Sequence, residues 1–340
     1  MIHLLKGNRV YRSYYGGKNL DKFFNVEEPK VSQFPEEWIA SLTKAINPGR
    51  QRIEEGYSLC LDGKKLKDVI NESPIEYLGK ENYTKYGNKS PFLLKLLDSA
   101  ERLFIQCHPT TEFAKRNLNS QFGKTESWYI LEAEKDAHVY LGFKEGITKE
   151  QLIECFEKQD IEGMLSMMHK HPVKSGDTIF VDGGVPHAIG AGCFLIELQE
   201  PTDLMVIPER KSASGITLTD EKMHGGLGFE RMFDVFDYTG YSYNEIREKY
   251  IRNIKTTPND LVTLIGEEWT DKFKMQIVEL DGEINFDPND KCCVAVILEG
   301  NCVMENSQQL IRLNKGDELF IAANTPPLFI KGKAKIILCR

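Results

Sequence analysis

The sequence predicts a mainly β protein with helical additions, in which two related antiparallel β-units each curl into a sandwich or barrel. Three observations carry that expectation. Short apolar runs broken by Gly, Asn, Asp and Pro recur along the chain and dominate its last third, the pattern of antiparallel sheets. Helical periodicity is confined to a few stretches. The chain also echoes itself: GDTIFVDGGVPHAIGAG from Gly176 and GDELFIAANTPPLFIKG from Gly316 share the order Gly-Asp turn, strand, polar turn, strand, glycine. Aligned on those glycines, His187 falls opposite Pro327, so the first unit alone keeps an imidazole there.

Taken in order, PEEWIASLTKAI is expected to be a helix opened by Pro35, with Trp38, Ile39, Leu42 and Ala45 at helical spacing. PFLLKLLDSA reads as helical or buried. The strands RLFIQCH, ESWYILEAE and HVYLGF are expected next. TKEQLIECFEKQDIEGMLSMMHKH is periodic as a helix, with Thr148 as N-cap before Gln151. DTIFVDG and CFLIELQE read as strands, and 230–253 as helical. The tail reads as seven short strands: FKMQIVEL, CCVAVILEG, CVMEN, QQLIRLN, DELFIAA, PLFIKG and AKIILC. The expected organisation is an N-terminal unit over 1–229 with helical insertions that include about 148–171, a helical connection over 230–258, and a β-rich C-terminal unit over 259–340.

Composition bounds the function. A chain of 340 residues, 41% apolar and 28% charged, buries a substantial core. A net charge of -8 argues against a nucleic-acid binder. No apolar run reaches membrane-spanning length, and MIHLLKGNRVYRSYYGG lacks the long apolar segment of a secretory leader. The expected place is the cytoplasm. The eight cysteines form no C-x-x-C pair and read as small core hydrophobes rather than a disulfide framework.

The chemistry starts in FIQCHPTTEF. Gln106 and His108 stand two apart and share one strand face with Phe104. Taken alone they read as a satisfied polar pair near a strand end. Glu126 opens the next strand, and His187 sits at a turn between two more. Two imidazoles, a carboxylate and an amide oxygen on separate strands suit a divalent metal such as zinc, with room for water or substrate. The HKHP pair, His169 and His171, reads instead as a solvated loop after a polar helix. On residue type, Lys124 reads as a surface lysine, although it shares the face of Glu126.

With these residues in hand a resemblance appears. Gly176, Asp182, Gly184 and His187 follow the second cupin motif, G-x5-[PD]-x-G-x2-H. QCHP, GKTESWYIL and PHAIG, in that order, resemble the type I phosphomannose isomerases, as do YYGGKNL and SPFLLKLLDSAERLFIQCHP. The resemblance is dense from about Ser90 to Gln199. It implies two cupin-like jelly-roll barrels with the metal site in the first only. It implies one Zn2+ per chain on Gln106, His108, Glu126 and His187. The implied activity interconverts mannose 6-phosphate and fructose 6-phosphate through an enediol. Lys124 matches a lysine that the resemblance places on substrate oxygens or in proton transfer.

Two positions depart from the pattern. Phe104 stands where the family has serine. Ile207 stands where it has a catalytic arginine, and Arg210 is the nearest arginine able to take that role. A related sugar isomerase of different specificity, or a metal-stabilised sugar-binding regulator without turnover, are the alternative expectations. The expected partner is a small-molecule sugar phosphate; the chain itself is expected to be a monomer or homodimer.

Overall fold

The computed structural model describes residues 1–47, 49, 50 and 52–340. Among these residues three sheets form, every ladder within them antiparallel. The first runs Ile251–Asn253, Asp177–Val181, Glu126–Ala133, Cys193–Gln199, Leu93–Ser99, Glu36–Ile39, Arg9–Val10. A three-stranded sheet of Met168–Pro172, His138–Phe143 and His187–Ile189 accompanies it. The third sheet is C-terminal, with the long strands Met275–Phe286, Cys293–Glu305 and Leu328–Cys339 at its centre. Among the described residues, no helix is long and apolar enough to cross a membrane.

Period-two patterning builds the C-terminal sheet. In CVAVIL, the residues Cys293, Ala295 and Ile297 enter one apolar cluster, and Val294, Val296 and Leu298 the other. A strand buried on both faces in this way reads as a continuous apolar run. One of those clusters continues through Trp128, Ile130, Leu195 and Ile196 of the first sheet. The two β-units therefore share a core instead of meeting across a wet boundary.

Several expectations need correction. PEEWIASLTKAI is not a helix: Glu36–Ile39 is a fully buried strand paired with Leu94–Leu97. Its two glutamates find partners across the sheet, Glu36 with Arg12 and Glu37 with Arg9. Tertiary pairing thus overrides a helical spacing of apolar residues. PFLLKLLDSA resolves to the buried strand Leu93–Ser99. HKHP lies in the strand Met168–Pro172, where His169 bonds the Tyr241 carbonyl and His171 the Tyr243 hydroxyl. These are satisfied core-edge histidines, not a solvated loop. RLFIQCH forms only single bridges, Gln106 to His187 and Cys107 to Val206. The 148–171 helix breaks in two, Lys149–Lys158 and Ile161–Ser166, with Thr148 closing a capping box on Gln151. Within 230–253, the helix Tyr243–Tyr250 is followed by the strand Ile251–Asn253.

Two strands also reach across the division expected from the sequence. Ile2–Leu4 pairs with Leu319–Ile321 of the C-terminal sheet. Ile251–Asn253 pairs with Asp177–Ile179 of the first. All eight cysteines are free, seven of them buried.

Candidate metal centre

Three segments converge on one point, and two glycines let them. Gly123, before Lys124, would place a Cβ 2.5 Å from the Pro109 carbonyl. Gly183, before the VPHAI turn, would place one 2.7 Å from the Thr110 Cα. Only a residue without a side chain permits such close backbone approach. The Gly184 amide then donates to the His108 carbonyl at 2.7 Å, and the Lys124 amide to the Pro109 carbonyl at 3.0 Å. Gln106 and His187 exchange both backbone hydrogen bonds, each at 3.0 Å, so their side chains leave on the same face.

The ring nitrogens and one carboxylate are thereby gathered. His108, Glu126 and His187 are all buried, and one ligand atom of each lies within 4.8 Å of the others. No other group of this kind occurs among the described residues. Each imidazole contacts a backbone carbonyl through Nδ1, His108 to Leu204 and His187 to Val185, both at 2.9 Å. A carbonyl oxygen can only accept, so both Nδ1 atoms carry hydrogen and both Nε2 atoms present lone pairs. His187 Nε2 faces Glu126 Oε1 at 3.3 Å and has no hydrogen-bond partner. Two acceptors facing each other in a buried site repel unless a cation lies between them. The donor set therefore fits a divalent metal. Trp128 Nε1 donates to Glu126 Oε1 at 3.0 Å and fixes the carboxylate's rotation.

Electrostatics support the same reading. Burial pushes the Glu126 carboxyl upward, yet Lys124 and the two imidazoles outweigh it and hold the group well below the usual carboxylate range. Burial, then Lys124, drives the His108 imidazole down to about 3. Burial also lowers His187. All three groups are thus in the protonation states a metal requires.

Lys124 is buried, not the surface residue that lysine statistics suggest. Its Nζ lies 2.6 Å from Glu126 Oε2 and 2.7 Å from His108 Nε2. Gln106 lines the adjoining cleft with Phe104, Lys124 and Ile207. Arg210 is not brought there. Its guanidinium pairs with Asp220 at 3.0 Å and stands over the rings of Phe156 and Phe229. The backbone sends Ile207 inward, its amide bonded to the Met223 carbonyl, and three residues later the chain has turned outward.

The cleft contains charges the sequence reading missed. Arg12, Lys95 and Lys222 line it together with Glu36 and Glu197. Arg12 forms a two-pronged pair with Asp203, at 3.0 and 2.9 Å. Lys95 meets Glu197 at 2.7 Å. Burial raises the Glu197 carboxyl above its ordinary range. A single charged residue within an apolar strand, as in FLLKLL, was the one signal available. A larger surface groove, of about 570 Å³, lies beside His171 and Arg247.

Comparison with known proteins follows the same lines. Residues 8–159 match the model for the catalytic domain of phosphomannose isomerase type I, and residues 267–340 the model for the cupin domain of mannose-6-phosphate isomerase. Mannose-6-phosphate isomerase ManA of Bacillus subtilis (strain 168) is 27% identical over 256 residues, covering 74% of this chain and 75% of that protein. The crystal structure of the mannose 6-phosphate isomerase from Bacillus subtilis superposes with a TM-score of 0.75 at 22% identity, over 100% of this chain and 99% of that one. A zinc-bound holo mannose 6-phosphate isomerase superposes at 0.73 and 16% identity, over 99% and 98%.

Proposed function

The chain belongs to the type I phosphomannose isomerase family, and from that membership we propose that it interconverts mannose 6-phosphate and fructose 6-phosphate with one zinc ion per chain. The observation that carries the reading is the buried His108–Glu126–His187 group with its unpartnered His187 nitrogen. Gln106, on the same face as His187, is the fourth ligand. Zinc held there would act as a Lewis acid on the sugar oxygens.

The chain's own residues do the rest. Isomerisation moves a proton between C1 and C2 through an enediol, which requires a base with raised affinity for protons. Glu197 lines the cleft, and its raised carboxyl suits that task. Lys124 adjoins the metal ligands and offers an ammonium to the developing enediolate oxygen. Ile207 and Phe104 replace polar groups with apolar wall, so orientation of the sugar falls to Lys124 and the metal. Arg210 has no part in the reaction. The first β-unit carries the reaction, and the second, with Pro327 opposite His187, holds no metal and supports the first through the shared core.

A coupled assay for fructose 6-phosphate on zinc-loaded protein tests the reading. Turnover above background is expected; its absence at full zinc occupancy would favour the sugar-binding regulator.

A further inference from the structure

The charged groups in and around the cleft balance. Arg12, Lys95, Lys124 and Lys222 stand against Glu36, Glu126, Glu197 and Asp203. Arg102 and Glu209 nearby neutralise each other at 2.7 Å. A divalent ion on His108, Glu126 and His187 then leaves two positive charges uncompensated in a buried site. Buried charge demands a partner, and a phosphate monoester carries about two negative charges at neutral pH. The cleft is thus short of the charge that a sugar phosphate brings.

The pairing pattern shows where that charge goes. Arg12 is saturated by Asp203 and Glu36. Lys95 has Glu197, and Lys124 has Glu126. Lys222 differs: its nearest carboxylate oxygen is Asp203 Oδ2 at 3.8 Å, on a group already engaged by Arg12. Among the described residues its one hydrogen bond, to the Ile46 carbonyl, is long at 3.3 Å. An ammonium has three donors, so most of this one's capacity is unused. Its side chain is only 12% exposed. Ile207 and Leu218 line the same cleft.

We propose that Lys222 is the phosphate-recognising cation of this site, selecting the dianionic 6-phosphate of the sugar whose other end faces the metal. The proposal rests on the sugar-phosphate reading of the cleft but not on turnover. It also assigns this chain a phosphate contact on the helix Asp220–His224, whose Met223 carbonyl accepts from the Ile207 amide.

The test is calorimetric binding of mannose 6-phosphate to zinc-loaded protein, with zinc content checked in each variant. Lys222→Met is expected to weaken binding by about 30-fold, while Lys222→Arg, which keeps the charge, stays within about threefold. Lys222→Gln carries the same expectation should Lys222→Met fold poorly. Unchanged affinity in the neutral variants overturns the proposal. So does an equal loss in Lys222→Arg, or wild-type protein that binds no mannose 6-phosphate. Wild-type protein that binds through Lys222 yet forms no fructose 6-phosphate defeats the isomerase reading and leaves this one standing. Turnover with an unmoved KM in Lys222→Met does the reverse.

Discussion

Glu126 concentrates the chemistry of single residues. Its two oxygens face His108, His187 and Lys124 and accept from Trp128. Trp128→Phe keeps the ring and removes the donor, so zinc affinity is expected to fall about 10-fold or more, read by competition with a chromophoric chelator. Glu197→Gln removes the proposed base and is expected to lower kcat by about 10²–10⁴-fold with zinc retained. Loss of zinc in that variant would instead mark Glu197 as structural. Arg210→Ala should leave kcat/KM within about twofold, because its guanidinium is engaged on the far side of the loop. The His108 imidazole gives a pH signature. Its folded-state value, about 3, lies below the ordinary 6.5. Such a group contributes stability above pH 6.5 that is lost as pH falls toward 3. Chelator-stripped protein should therefore lose Tm on acidification through that window, and His108→Gln should flatten the slope. An unchanged slope would remove His108 from the account.

At the scale of elements, the site is a meeting of three turns. QCHP, GKTE and GGVPH approach because Gly123 and Gly183 allow backbone on backbone. Gly183→Ala would force its Cβ against Thr110, a backbone atom that cannot swing aside. Destabilisation of about 1–3 kcal/mol is expected, together with weaker zinc binding, since the Gly184–His108 hydrogen bond is adjacent. Thermal scans with and without zinc would show both; an unaltered zinc-dependent shift in Tm would sever the two effects. The same scale explains the misread elements. A strand such as Glu36–Ile39 has charged residues inside because Arg12, Arg9 and Lys95 meet them there.

Across the whole molecule, a polar tie links the C-terminal region to the strand Glu126–Ala133. Glu200 is buried, and its carboxylate accepts from the Gly123 and Thr125 amides and the Thr111 hydroxyl. Lys272 reaches Glu200 at 3.0 Å and the Thr125 hydroxyl at 2.5 Å. The segment carrying Lys124 and Glu126 is thus held from outside its own sheet. Lys272→Met is expected to lower kcat/KM by about 10-fold through misplacement of Lys124, with the fold retained by far-ultraviolet circular dichroism. Full activity would show that Glu200 suffices. We propose the division at 1–229, 230–258 and 259–340 as a description of topology. The shared core and the exchanged strand Ile2–Leu4 argue that these regions fold together.

The sequence by itself singled out His108, Glu126 and His187, which the structure gathers in one buried group, and the mainly β character of the chain. Those features rest on local rules: alternation along strands, glycines at turns, and residue types whose chemistry suits a cation. Thr148 and its capping box were legible for the same reason. Burial of Lys124 and convergence of Arg12, Lys95 and Lys222 were decided only by the tertiary structure. These side chains come from segments far apart in the chain, and a lysine in sequence is indistinguishable from a solvated one until its surroundings are known. The fate of Arg210 was settled likewise, because three residues of loop reverse the direction of a side chain and no local periodicity records the turn.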